Sequence, residues 1–216
     1  MIKKIYKRLL TLYGPQHWWP VISNNPEFEI CIGAILTQNT SWRNVEKAIN
    51  NLYIKNLLHP ERILRIPLEE LSMLIRSAGY YNQKARRLKS FARLYIDNSK
   101  KLKKLDVMNA RRLLLSIKGV GRETADSMLL YAFNKKIFPV DTYTSRLFYR
   151  LGLVSEDSKD KYYEDIRLMV EKELSNMNDL KEFHALIVMH GKSYCKKKPL
   201  CKTCPLQECR TKDLYI

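Results

Sequence analysis

Apolar residues in this chain recur at three- and four-residue steps, and that spacing confines it to packed helices. Val45, Ala48, Ile49 and Leu52 form one stripe, Ala85, Leu88, Ala92 and Tyr95 a second, and Ile166, Met169, Val170 and Leu174 a third. Each stripe lies on one side of a helix, because 3.6 residues per turn bring positions i, i+3, i+4 and i+7 together. The run 28–36 is apolar nearly all round, which predicts a helix buried at the centre. Pro15, Pro20, Pro26, Pro60, Pro67 and Pro139, with Gly79, Gly119, Gly152 and Gly191, break the pattern into helices of ordinary length. No long strand-like alternation, repeat or low-complexity linker is visible. The expected fold class is all-α.

Charge narrows the partners. A formal charge of +17 on 216 residues favours a phosphate-rich partner. General solubility or contact with an anionic membrane is the plainer explanation of the same charge. No apolar run approaches the roughly 20 residues needed to span a bilayer. Residues 1–13 form a basic amphipathic stretch without the apolar centre or small-residue cleavage site of a signal peptide. The sequence therefore predicts a soluble cytoplasmic protein with no membrane association.

Residues 116–130 read Ser-Ile-Lys-Gly-Val-Gly-Arg-Glu-Thr-Ala-Asp-Ser-Met-Leu-Leu. One apolar helix ends at Ile117, Gly119 and Gly121 flank a valine, and another helix begins. Glycines permit a tight turn and the close approach of a phosphate, and the following helix offers N–H groups to that anion. Lys118 and Arg122 add positive charge. Taken alone, the segment also fits an ordinary connection between helices. Further on, Asp141 in Phe138-Pro139-Val140-Asp141-Thr142 stands where a helix starts. Aspartate is a preferred N-cap there, and the helix dipole favours its ionised form.

Five cysteines are present, and Cys195, Cys201, Cys204 and Cys209 fall in the last 22 residues. In a reducing compartment such crowding reads as metal ligation. Four thiolates this close need a cation among them, in an iron–sulfur cluster or a tetrahedral zinc site.

The glycine-flanked turn followed by Asp141 resembles the helix-hairpin-helix of the endonuclease III superfamily of DNA glycosylases, and the likeness covers nearly the whole chain. The resemblance implies a two-lobed helical fold with a C-terminal cluster loop at 195–209. One lobe would span 25–132, with the hairpin at about 107–125. The other would combine 1–24 with 133–216 and carry Asp141, and the cleft between them would take an extruded nucleotide. Asp141 becomes the catalytic carboxylate, able to stabilise a cationic sugar or align water. Lys118, Gly119, Gly121, Arg122 and Lys197 become DNA contacts. Gln38, in Leu36-Thr37-Gln38-Asn39-Thr40, resembles the residue that fills the hole left by the flipped base, and Tyr80 stands where the family often has a leucine wedge. The cysteine pattern Cys-x5-Cys-x2-Cys-x4-Cys is one residue shorter in each outer gap than that of endonuclease III, yet the resemblance favours [4Fe–4S] over zinc.

Two departures shape the expected activity. Bifunctional members carry a lysine in the hairpin's second helix, whereas this chain has Glu123, which cannot form a Schiff base. The expectation is a monofunctional N-glycosylase that leaves an abasic site, with Glu123 bracing the base pocket or touching the base. His17-Trp18-Trp19-Pro20 and Trp42 resemble the 3-methyladenine DNA glycosylase III branch, in which aromatic rings on these segments sandwich an alkylated purine. A methylated purine is cationic and stacks well on indole. One of Trp18 and Trp19 is expected in the base pocket and the other in packing, with Trp19 preferred for the pocket. The expected partner is double-stranded DNA holding a damaged base, bound by a monomer near a prokaryotic nucleoid. Thymine, uracil or other-base excision is the alternative within the superfamily, and a non-catalytic metal-stabilised DNA-binding module is the alternative outside it.

Overall fold

A computed structural model of the chain describes residues 1–206 and 209. Helix is the only regular structure among these residues: α1 (Ile2–Tyr13), α2 (Pro26–Leu36), α3 (Trp42–Ile54), α4 (Pro60–Arg65), α5 (Leu68–Leu74), α6 (Tyr81–Lys104), α7 (Val107–Leu115), α8 (Arg122–Ser127), α9 (Thr142–Arg150), α10 (Lys159–Glu173) and α11 (Met177–Ser193). The all-helical expectation holds. None of the described helices is long and apolar enough to cross a membrane.

The chain divides into two compact units, one of residues 19–135 and one of residues 1–18 with residue 136 onward. In the first, α2 is the centre, packed by α3, α6 and α8. Asn25 caps its start by accepting from the Phe28 amide, and Pro26 sits at the first turn, where its missing N–H costs nothing. Every residue from Phe28 to Leu36 is buried, as a helix apolar on all sides must be. The one charge within that buried run, Glu29, accepts from the backbone amides of Ile22 and Ser23. Those charge-assisted bonds offset the desolvation of a buried carboxylate and fold the segment after Trp19 back onto α2.

In the second unit, α1 lays Ile2, Ile5 and Leu9 against α10 and α11, and α9 packs on both. Gly191 on α11 permits that approach, since a Cβ there would lie 2.3 Å from Cδ1 of Tyr143 on α9. The absent side chain sets how close the start of α9, with Asp141 at its cap, comes to α11.

Candidate functional site

The hairpin is built from α7, a turn and α8. Gly119 sits at φ +88°, a left-handed conformation that an L side chain resists, and a Cβ there would also strike the Arg87 side chain 2.1 Å away. Val120 is buried and anchors the turn, while Lys118, Gly119 and Gly121 face solvent and Arg122 is half-buried. Gly121 is the extended N-cap of α8, with Glu123 in its first turn. Beneath the turn, Arg111 of α7 grips Asp126 of α8 through Nε to Oδ1 at 2.7 Å and Nη2 to Oδ2 at 2.9 Å.

Gln38 lies against this turn. Its amide nitrogen donates to the Gly119 carbonyl at 3.0 Å and to Thr124 Oγ1 at 2.9 Å. Its oxygen accepts from Arg87 Nη1 at 2.6 Å. The loop carrying it is tied to α6 by Lys84, only 1% exposed, whose ammonium donates to the carbonyls of Leu36, Gln38 and Ala78. Burial first and Arg87 second lower the pKa of Lys84 to about 8. Tyr80 is 64% exposed and held at φ +46°, so the sequence-predicted wedge projects from a strained cap of α6.

The two adjacent tryptophans have different surroundings. Trp19 meets Trp42 with ring centres 5.3 Å apart at 84°, and Tyr131 at the same separation and 62°. Gly33 leaves room for it, since a Cβ there would come within 3.1 Å of the indole nitrogen. Tyr131 reaches this cluster from a π-helical segment, Met128–Ala132, that continues α8. Single π turns recur at functional sites. Trp42 donates its indole N–H to Glu46 at 2.8 Å. Trp18, by contrast, packs on His184, with centroids 5.8 Å apart.

Asp141 is the N-cap of α9 and is 9% exposed. Its Oδ1 accepts from the Thr144 amide at 2.7 Å and from Thr144 Oγ1 at 2.8 Å. Its Oδ2 lies 3.9 Å from Nε2 of His184. Burial lowers the pKa of His184 despite the opposing pull of Asp141, so this imidazole favours the neutral form. Sequence reading missed His184, which arrives from α11 with no local signal connecting it to Asp141.

Cys195, Cys201, Cys204 and Cys209 line one cavity together with Arg150 and His190. Arg150 donates from Nη1 to Cys195 Sγ at 3.1 Å and to the Lys196 carbonyl at 2.8 Å, and from Nη2 to the Lys197 carbonyl at 3.1 Å. The exposed Lys197 is thereby fixed through its backbone. Burial, with the neighbouring thiols, raises the Cys204 pKa. Among the described residues, no three of His, Cys, Asp and Glu converge as a single metal ion requires.

The signature described as HhH-GPD superfamily base excision DNA repair protein matches residues 32–172. The chain is 48% identical over 214 residues to a protein of Methanocaldococcus jannaschii that carries the name of a presumptive DNA repair glycosylase, covering 96% of this chain and 94% of that one. A non-covalent endonuclease III–DNA complex matches with a TM-score of 0.80 and 27% identity, covering 99% of this chain and 95% of the other. The 3-methyladenine DNA glycosylase of H. pylori, bound to 1,N6-ethenoadenine, matches with a TM-score of 0.74 and 29% identity, over 88% of this chain and 97% of the other. With a match that spans well over half of its length, the chain belongs to the HhH-GPD superfamily of base excision DNA repair proteins.

Proposed function

We infer that this DNA glycosylase is monofunctional and excises an alkylated purine, such as 3-methyladenine, from duplex DNA, leaving an abasic site. The observation that carries the reading is the buried cap of α9. With Oδ1 of Asp141 engaged by Thr144, Oδ2 is the oxygen that meets the sugar. The glycosidic bond breaks with its electron pair leaving on the base, positive charge develops on the sugar ring, and the fixed carboxylate stabilises it. Water then adds at the sugar carbon and loses a proton. 3-Methyladenine carries a positive charge while attached to the sugar and departs neutral, so its release asks for no strong general acid.

Trp19 and Trp42 support the choice of base, since electron-rich indoles favour a cationic purine. Glu123 supports the monofunctional reading, because a carboxylate at the start of α8 cannot form an imine with the sugar. In this reading Lys118, Gly119, Gly121 and Arg122 grip a phosphate, Gln38 fills the space of the extruded base, Tyr80 wedges beside it and Lys197 adds a phosphate contact. The protein acts as a monomer on a damaged duplex in the cytoplasm, at the nucleoid.

A [4Fe–4S] cluster on Cys195, Cys201, Cys204 and Cys209 belongs to the same proposal. Four thiols around one cavity, with a guanidinium on one of them, suit an anionic cluster. Zinc fits less well, since it needs four sulfurs about 2.3 Å from one point. When bound, the cluster cross-links the 195–209 segment, and base release does not run through it.

A panel of duplexes with 3-methyladenine, 1,N6-ethenoadenine, uracil, mismatched thymine or oxidised bases tests the substrate, with alkali to reveal abasic sites. Preferential cutting of the alkylated purines supports the reading, and preferential cutting of uracil or thymine overturns it. Iron and acid-labile sulfide, with visible absorbance in the blue, test the cluster, and stoichiometric zinc without iron overturns it.

A further inference from the structure

The amide of Gln38 makes three hydrogen bonds within the protein, and two of its partners decide which way round it sits: the Gly119 carbonyl must face its nitrogen, and the Arg87 guanidinium its oxygen. Gly119 O accepts only, and Thr124 Oγ1 either accepts or donates. Arg87, in contrast, has donors and no acceptor, so the group facing its Nη1 must be the amide oxygen. The same guanidinium side chain lies across Gly119, where it occupies the space a Cβ would need. Arg87 therefore joins α6, the loop after α2 and the hairpin turn. Its position on α6 is secured three residues earlier by Lys84, which holds the Gln38 carbonyl at 2.7 Å.

We propose that Arg87 is a positioning residue for Gln38: by holding the amide oxygen while Gly119 holds the nitrogen, it keeps that side chain in place before DNA arrives. The proposal rests on the reading of Gln38 as the residue that fills the emptied base position. A side chain ordered in advance loses less rotamer freedom on binding, which favours the base-extruded complex. Without a donor at 87 the amide oxygen loses that anchor, and the side chain is held less firmly, through its nitrogen at Gly119 and Thr124.

The test uses the intact protein and a duplex with 2-aminopurine at the position to be extruded, whose fluorescence rises on unstacking. Arg87→Gln, Arg87→Lys and Gln38→Ala are compared, together with each Arg87 change in the Gln38→Ala background. A glutamine at 87 is shorter and uncharged, so it anchors the amide oxygen weakly, while lysine keeps a charged donor. Arg87→Gln is expected to weaken the unstacked complex about tenfold, the weight of one side chain left to be ordered on binding. Arg87→Lys is expected to recover most of that loss, and the Arg87→Gln penalty should vanish once Gln38 is alanine. A simple loss of positive charge, or a merely structural role, predicts instead a penalty that persists in the Gln38→Ala protein, and that result overturns the proposal. So does an unaffected Arg87→Gln protein alongside an impaired Gln38→Ala one, which leaves the role of Gln38 standing. If Gln38→Ala itself unstacks 2-aminopurine normally, the role of Gln38 falls, and the proposal with it.

Discussion

Arg111 and Asp126 meet inside the hairpin, 6% and 0% exposed, joined by two parallel hydrogen bonds of 2.7 and 2.9 Å. They stand fifteen residues apart, one on each helix of the motif, so the pair sets the angle at which the Gly119 turn is held. Fork-to-carboxylate geometry is the arrangement in which a guanidinium is best satisfied when buried. Removing one member leaves the other charge buried without this two-bond pairing. Asp126→Ala is expected to cost about 3–5 kcal/mol in urea denaturation. The double change Arg111→Met with Asp126→Leu should recover most of that loss, because apolar residues of similar volume leave no buried charge behind. Recovery of fold without recovery of DNA binding would separate the pair's role in stability from its role in shaping the turn.

Asp141 both caps α9 and, in the proposed reaction, faces the sugar. Asparagine caps a helix as well as aspartate does, so Asp141→Asn should leave the melting temperature nearly unchanged. Base release under single-turnover conditions should fall by about two to three orders of magnitude, as when one preorganised electrostatic partner is removed. Duplex binding should persist. A variant that released bases at the normal rate would remove Asp141 from the chemistry.

His184 supplies a pH dependence of known sign. The unfolded side chain titrates near 6.5, and burial places the folded value below that. Between those two values the unfolded chain holds a proton that the fold refuses, so stability is full above pH 6.5 and is lost as pH falls through the window. The slope from this residue is at most one proton, about 1.4 kcal/mol per pH unit. His184→Gln should flatten the pH dependence of denaturation below 6.5 by that amount at most. An unchanged slope would mean that the histidine is already protonated beside Asp141.

Glu123 occupies the first turn of α8. Borohydride should trap no covalent adduct between the wild-type protein and a lesion-bearing duplex, since no amine stands at this position. Glu123→Lys supplies one, and a trapped adduct in that variant is the expected gain of function. Trapping by the wild-type protein would show that another lysine attacks the sugar and that the strand is cut.

Much of this was legible before folding because its physical cause is local. The all-helical class follows from apolar spacing. The turn at Gly119 follows from the need for a left-handed residue between two helices, and the N-cap at Asp141 from hydrogen bonds that reach only to Thr144. The four cysteines announce themselves by crowding within one short segment. Local patterns of this kind did not reach Arg87, Lys84, Arg111, Tyr131 or His184. An arginine or lysine in a helix reads as a solvated face until the partner helix is placed.

The amino-acid sequence by itself determined which stretches become helices, where they cap and turn, and which residues carry charge, aromatic faces or thiols, since these depend on neighbours within a few residues. Only the tertiary structure decided that Gln38 meets residues 81 and 86 positions away and that His184 stands beside Asp141. It also decided that Trp19 joins Trp42 while Trp18 joins His184. Those pairings depend on how helix faces pack around α2 and against α11, and on the space left open at Gly33 and Gly191. Packing of that kind is a property of the assembled core, and no window of neighbouring residues contains it.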